Sequence, residues 1–167
     1  MQRRNRLPRI IAATAATAGL SLLNLPALAA TATGQFNVTA TVAATCIISG
    51  SNLAFGSYSG AAINAQTTVS VTCTNGTSYN VGLNAGTASG ATVTTRAMTG
   101  PSSATLNYAM YQNNTHTTNW GNTVGTDTVS GSGNGSAQSL TVYGVLAASQ
   151  YPTPGSYSDT ITATVTY

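Results

Sequence analysis

Few side chains in this chain of 167 residues can take part in acid–base or nucleophilic chemistry. The sequence has one histidine, His116, and two carboxylates, Asp127 and Asp159, and no Gly-x-Ser-x-Gly motif. General acid–base catalysis requires positioned groups that exchange protons, and a serine nucleophile requires a base within reach. We therefore predict no enzymatic activity and no cofactor, with a small secreted enzyme as the weakest hypothesis.

The structural alternatives for these three residues are simpler. His116 is predicted to be a loop side chain, and Asp127 a solvated residue of a Gly/Ser-rich loop. Asp159 is predicted to be structural, either bonded to a nearby backbone N–H or paired with Arg96.

Basic residues are confined almost entirely to the N-terminus. Arg3, Arg4, Arg6 and Arg9 precede residue 10, and Arg96 is the only later basic residue. The formal net charge of +3 therefore arises from the N-terminus. Because nucleic-acid binding depends on clustered Lys and Arg, the sequence predicts no nucleic-acid partner.

Residues 1–29 have the order of a secretory signal peptide. An Arg-rich start is followed by an uncharged, mostly apolar stretch, by Pro26 and by the small-x-small run Ala27-Leu28-Ala29. We predict cleavage after Ala29, with cleavage after Ala30 as the alternative. Twin-arginine export stays open beside the general route, and an uncleaved anchor is the competing interpretation.

Cys46 and Cys73 both follow this leader. In an oxidising compartment a single pair of cysteines is most simply a disulfide. Such a bridge would stabilise the fold by roughly 3 kcal/mol in the chain-entropy model. A metal site is the weaker interpretation, because two cysteines and one distant histidine do not make a four-ligand zinc set.

Alternation of apolar and polar residues recurs after the leader, and no 3.6-residue apolar period appears. Asn75-Gly76 predicts a tight hairpin turn, and the Gly/Ser-rich residues 121–139 predict a long surface loop. Repeated short strands without helices indicate an antiparallel β-sandwich. The predicted strands are 67–74, 79–83, 106–111, 140–146 and 157–167.

The longest alternation precedes the first cysteine. One interpretation is an edge strand of the protein's own sandwich over residues 34–46. The other is a free segment, 30–44, that pairs with another molecule by β-strand addition. Burial of its large apolar side chains is then worth roughly 4–9 kcal/mol. The predicted pocket-filling residues are Phe36, Val38, Ala40 and Val42.

Residues 45–167 would then form the sandwich, and its last strand closes the sequence at Tyr167. We expect an open edge there, with Ile161, Ala163 and Val165 on the accepting strand. A segment that donates and an edge that accepts form a heterologous interface, which builds an open fibre.

Ten short motifs, spread from residue 36 to residue 160, carry a resemblance to a known family. They are FNV at 36–38, CII at 46–48, LAFGSY at 53–58, VSVTCT at 69–74, YNVGL at 79–83, RAM at 96–98, LNY at 106–108, WG at 120–121, LTVYG at 140–144 and PGSYSDT at 154–160. In their joint order the chain resembles the spore coat protein U family, which includes major subunits of archaic, Csu-type chaperone–usher pili.

The resemblance implies an incomplete immunoglobulin-like sandwich that lacks its final strand. A periplasmic chaperone would lend a strand first, and the next subunit's N-terminal strand would replace it at an outer-membrane usher. The expected function is a structural pilus subunit at the cell surface, supporting adhesion to abiotic or host surfaces and biofilm formation. The alternative is a monomeric, secreted carbohydrate- or surface-binding module, supported by Trp120 and the tyrosines.

Overall fold

A computed structural model describes residues 28–167, so nearly all of the predicted leader lies outside the described residues. The chain divides into Met1–Thr39 and Ala40–Tyr167. In the described part of the first unit, residues 28–39, the backbone has no regular secondary structure. Within residues 28–167, no helix is long and apolar enough to cross a membrane.

The second unit is built from strands that form two antiparallel sheets. One sheet has the order β1-β2-β7-β5-β4 and the other the order β6-β3-β8, which confirms the predicted all-β, antiparallel fold. A short 3-10 helix, Pro101–Ser103, precedes β5. The strands are β1 (Cys46–Gly50), β2 (Ile63–Cys73), β3 (Ser78–Leu83), β4 (Arg96–Thr99), β5 (Thr105–Tyr111), β6 (Val129–Ser132), β7 (Gln138–Leu146) and β8 (Ala163–Thr166).

The core lies where the alternation of each strand directs its apolar side chains. In β2 the side chains of Val69, Val71 and Cys73 are buried, while the intervening polar residues are only half-buried. The same period places Val81 and Leu83 of β3 in the core. Because successive residues of a strand point to opposite faces, one residue in two is enough to build this core. Its other large members are Tyr79, Leu106, Tyr108, Met110, Trp120, Val142 and Leu146.

Four of the predicted strands, 67–74, 79–83, 106–111 and 140–146, overlap β2, β3, β5 and β7. The predicted loop over residues 121–139 is wrong at Val129–Ser132, which forms β6 and pairs with β3. Gly131 lies opposite Tyr79, and a Cβ there would clash with the Tyr79 hydroxyl. Glycine was interpreted as a loop signal, yet here it makes room for an aromatic side chain in a strand.

The predicted hairpin at Asn75-Gly76 is also wrong. The turn itself exists, since Gly76 has a φ of 79° and the Thr77 N–H donates to the Thr74 carbonyl at 3.0 Å. However, β2 and β3 belong to different sheets, so this turn carries the chain across the sandwich. Its backbone bonds instead to Gly133, which accepts from the Gly76 N–H at 2.8 Å.

The predicted last strand, 157–167, divides into two parts. Ser158 pairs with Thr99 beside the first sheet, whereas Ala163–Thr166 pairs with β3 in the second. The apolar alternation continues through both parts, but the backbone partner changes between them. A pattern of side chains does not report such a change of partner.

Candidate strand-accepting groove

An open groove of about 1320 Å³ lies in the second unit, Ala40–Tyr167. Its lining includes Ile48 and Gly50 of β1, Ala163 of β8, and Ile161, which precedes β8. Most of the remaining apolar lining belongs to the core. These residues are Leu53, Phe55, Val69, Leu83, Met98, Leu106, Tyr108, Met110, Val142, Leu146 and Tyr157.

The free edge of β8 borders this groove. The Asn84 N–H donates to the Thr162 carbonyl at 3.1 Å, so Thr162 directs its backbone groups toward β3. Hydrogen bonding alternates along an antiparallel pair. The N–H and C=O groups of Ile161 and Ala163 therefore point away from β3, and β8 is the last strand of its sheet.

The edge of β1 is free in the same way. The Ser51 N–H donates to the Thr68 carbonyl at 3.0 Å, and the Thr74 N–H donates to the Thr45 carbonyl at 2.9 Å. By the same alternation, Ile48 and Gly50 turn their backbone groups away from β2. Two strand edges with unpaired backbone groups thus belong to one groove, a state that sheet proteins normally avoid or cover.

The three residues predicted for the accepting strand are half-buried and share one face, while Thr162, Thr164 and Thr166 are exposed. Ile161 and Ala163 line the groove. Val165 packs against the core but does not contribute to the lining.

The predicted donor residues lie in a segment without secondary structure. Phe36, Val38 and Val42 expose 86%, 85% and 83% of their surface, and Ala40 is exposed as well. The interpretation of residues 34–46 as one long edge strand is wrong, because the first strand begins only at Cys46. A strand requires a backbone ladder, and upstream of Cys46 the contacts with Thr74 extend back only to Ala43.

The predicted disulfide between Cys46 and Cys73 is present. It joins the first residue of β1 to the last residue of β2, which are direct partners in the ladder. β1 has only five residues and a single neighbouring strand. The disulfide therefore fastens one of the two groove edges to the body of the sheet.

Residues 51–60 contribute a wall that the sequence did not reveal as part of a site. The Phe55 ring meets the Tyr108 ring edge-on with centroids 5.9 Å apart. The Tyr58 hydroxyl donates to the Ala147 carbonyl at 2.7 Å. A Cβ at Gly144 would lie 2.7 Å from Leu53 Cδ2, so glycine at this position of β7 lets the wall approach.

Arg96 and Asp159, for which an ion pair is one of the two predicted arrangements, form separate hydrogen-bond networks. Arg96 is fully buried, and burial lowers the pKa of its guanidinium, although arginine stays protonated in proteins. Its hydrogen bonds go to main-chain oxygens that come from three parts of the chain. The acceptors are the carbonyls of Leu83 at 2.9 Å, Asn84 at 2.8 Å, Val93 at 2.6 Å and Trp120 at 2.7 Å.

Asp159 forms a separate network. Its carboxylate accepts from the Thr87 N–H at 2.8 Å, from the Thr160 N–H at 2.7 Å and from the Tyr108 hydroxyl at 2.7 Å. Partial burial acts to raise the pKa of Asp159, but the hydrogen bonds from Thr87, Tyr108 and Thr160 outweigh it and lower that pKa. Burial and the bond to Asp159 both raise the pKa of Tyr108. Of the two structural roles predicted for Asp159, the bond to a nearby backbone N–H is therefore the one that is present.

The remaining candidate residues do not form a reactive site. His116 lies in a loop with a φ of 54°, and its ring meets those of Tyr111 and Tyr143 edge-on at 5.5 and 6.5 Å. Asp127 is half-buried, so the prediction of a solvated side chain is wrong. Its carboxylate accepts from the Thr123 N–H at 2.7 Å within its own turn. Within residues 28–167, no three His, Cys, Asp or Glu side chains cluster to hold a metal ion.

Trp120 is the main support for the carbohydrate-binding alternative, and it is buried. Only 1% of its surface is exposed, and its indole N–H donates to the Val81 carbonyl at 2.8 Å. Its ring is therefore unavailable to stack on a sugar.

Fold and groove together define a β-sandwich in which two open strand edges, β1 and β8, border one groove. The chain belongs to the Spore Coat Protein U family, whose domain model matches residues 32–164. It is 34% identical to Protein U of Myxococcus xanthus, over 98% of this chain and 99% of that protein.

Among solved structures, the fold is similar to that of a chain in the chaperone–tip adhesion subunit pre-assembly complex from the archaic chaperone–usher Csu pili of Acinetobacter baumannii. The TM-score is 0.58 at 22% identity, and the match covers 76% of this chain and 41% of that chain. This likeness shows a shared fold and confirms the predicted immunoglobulin-like sandwich.

Proposed function

We propose that this protein is a structural subunit of a surface pilus that polymerises by donor-strand complementation. The observation that carries the proposal is the groove, lined by both apolar and polar side chains, whose sides β1 and β8 both present unpaired backbone edges. A donor strand in the groove would bond to these free edges and cover half-buried lining residues such as Leu53 and Phe55. Membership of the Spore Coat Protein U family supports the same function.

Residues 30–44 have the features that such a strand requires. Phe36, Val38, Ala40 and Val42 alternate with polar residues, so one face would enter the groove. Burial of the large side chains is worth roughly 4–9 kcal/mol, and each backbone hydrogen bond adds roughly 0.5–1.5 kcal/mol. These contributions suffice for a joint that dissociates slowly.

The partners follow from the need to protect the groove before assembly. A subunit with an open apolar groove would aggregate, so a periplasmic chaperone supplies a temporary strand and an outer-membrane usher directs its replacement. The structural likeness to a chaperone–subunit assembly complex from Csu pili supports this route. The disulfide fits passage through an oxidising periplasm.

The assembled fibre would carry the protein to the cell surface, where it supports attachment to abiotic or host surfaces and biofilm formation. Recognition between copies rests on backbone pairing and apolar pockets. This mode of binding requires neither a cofactor nor acid–base chemistry.

Deletion of residues 30–42 tests the proposal. The truncated chain is expected to reach the periplasm and to keep its disulfide, but cells that produce it should carry no fibres in electron micrographs. As a control, a chain in which residues 30–42 are reordered to remove the alternation should also form no fibres. Fibres of normal length from either variant would overturn donor-strand polymerisation.

A further inference from the structure

The start of the accepting edge lies where the chain passes from the first sheet to the second. The Thr99 N–H donates to the Ser158 carbonyl at 2.9 Å, and five residues later Ala163 pairs with Leu83. Ile161 lies within this passage and lines the groove. Its backbone orientation therefore depends on how the passage is held.

Asn84 holds the centre of the passage. The Asn84 N–H donates to the Thr162 carbonyl at 3.1 Å, and Asn84 Oδ1 accepts from the Thr162 N–H at 2.9 Å and from the Gly86 N–H at 3.2 Å. A side-chain amide thus extends the ladder one residue beyond the end of β3. The Asn84 main-chain carbonyl does not fill this role, because it accepts from Arg96 Nε at 2.8 Å.

Both backbone groups of Thr162 are consequently turned toward β3. Along an antiparallel pair the adjacent residues then turn their groups the other way, so Ile161 and Ala163 direct theirs toward the groove. Asp159 fixes the start of the passage through Thr87 and Tyr108. Asn84 holds the middle of the passage at Thr162.

We propose that Asn84 is a positioning residue for the accepting edge: by binding Thr162 on both backbone groups, it turns Ile161 and Ala163 toward an incoming donor strand. This inference rests on the proposed function of the groove. It adds a residue that affects how tightly the accepting edge binds a donor strand, without contacting that strand.

The variants Asn84→Ala and Asn84→Asp separate this role from general stability. Aspartate keeps an acceptor oxygen for the Thr162 N–H, whereas alanine keeps none. Asn113→Ala is the matched control, because Asn113 Oδ1 likewise accepts two backbone N–H groups, from Thr117 at 3.1 Å and Thr118 at 3.2 Å, and does not line the groove.

The probe is a synthetic peptide of residues 30–44, added in excess to the full exported chain isolated as a monomer. Affinity is followed by fluorescence anisotropy, and the melting temperature is recorded in parallel. Loss of the side-chain bonds predicts roughly tenfold weaker peptide binding for Asn84→Ala. Asn84→Asp should bind within about threefold of the unmodified chain. Asn113→Ala should lower the melting temperature and leave peptide affinity unchanged.

Each outcome distinguishes the two proposals. If the unmodified chain does not bind the peptide, donor-strand pairing in this groove is overturned. If it binds the peptide and Asn84→Ala binds equally well, the positioning role alone is overturned. Equal weakening by Asn113→Ala would also overturn that role, since the effect would then be general.

Amide hydrogen exchange on the unmodified chain provides a measurement that does not depend on the folding of any variant. The Thr162 N–H should be protected before peptide is added, and the Ile161 and Ala163 N–H groups should gain protection only after peptide binds. Protection of Ile161 and Ala163 in the monomeric chain without peptide, where no second copy fills the groove, would contradict the orientation that Asn84 is proposed to impose.

Discussion

Residues 34–44 and residues 157–167 share the same alternation of apolar and polar side chains, yet they have different structures. In the first segment Phe36 and Val38 are exposed and no strand forms. In the second, Ala163–Thr166 is a strand, and its inward side chains are half-buried. The difference is a neighbour, because β3 provides backbone partners for the second segment.

The comparison shows that alternation determines which side chains can share a face, whereas a strand also requires a ladder. β8 has a ladder on one side only and borders an open groove. Within the described residues, positions 34–42 have no backbone ladder at all. Under the proposed function, residues 34–42 of one copy and β8 of another would provide backbone hydrogen-bond partners for each other.

The largest expected effect comes from a charge on the inward face of the N-terminal segment. Val38→Asp should abolish fibres, because an unpaired carboxylate in an apolar groove costs several kcal/mol. Thr39→Asp is the matched control, since the adjacent position would face outward. Electron microscopy of cells producing each variant measures the difference, and equal fibre numbers would contradict the inward assignment of Val38.

A second prediction concerns Arg96, the sole trypsin site in residues 28–167, whose side chain is fully buried. Cleavage requires the fold to open, so a stability of about 5 kcal/mol slows it by roughly a thousandfold or more. Filling the groove adds stability, so assembled fibres should be cut more slowly than free subunits. Mass spectrometry should detect two fragments produced by cleavage after Arg96. Equal cleavage rates for fibre and subunit would show that filling the groove does not stabilise the fold.

The disulfide has a smaller effect, on the edge opposite β8. Cys46→Ser combined with Cys73→Ser should destabilise the subunit by roughly 3 kcal/mol and loosen β1 from β2. We expect a lower periplasmic level on immunoblots, and fewer fibres in proportion. Unchanged subunit levels and unchanged fibres would show that the ladder alone holds this edge.

The smallest effect is a pH dependence at the start of the last strand. The pKa of Asp159 is lower in the folded chain than in the unfolded one. Its contribution to stability is therefore complete above the unfolded value, near 4, and is lost as the pH falls through the lower folded value. As the pH falls below about 4, the melting temperature of Asp159→Asn should fall less steeply than that of the unmodified chain. Parallel curves would show that Asp159 does not contribute.

Much of the fold could be predicted from side-chain alternation, because β2, β3, β5 and β7 each bury one face. β6 could not, since its Gly131 serves Tyr79 on another strand. The change of sheet near Asp159 was missed for a related reason: the alternation continues while the backbone partner changes.

The site was predicted unevenly. The cysteine pair and the inward face of the last strand follow from residue types and spacing. Asn84 and the wall at residues 51–60 did not, because their roles depend on contacts with residues distant in the sequence. An asparagine after a strand is typical of a turn. Only the bond from Arg96 to the Asn84 carbonyl shows why the Asn84 side chain, and not that carbonyl, accepts from the Thr162 N–H.

Cysteine cross-linking tests most directly whether the alternating N-terminal segment of one copy occupies the groove of the next. Ala163→Cys is combined in one chain with cysteine at Phe36, Val38, Ala40 or Val42, and in controls with cysteine at the polar positions Asn37, Thr39 or Thr41. In a strand beside β8, an inward residue directly opposite Ala163 would have its Cβ about 4.5–5.5 Å away, within reach of a disulfide. The account predicts a ladder of covalent multimers on non-reducing gels for at least one inward position and for none of the controls. Only monomers at all four inward positions, or equal ladders from the controls, would contradict it.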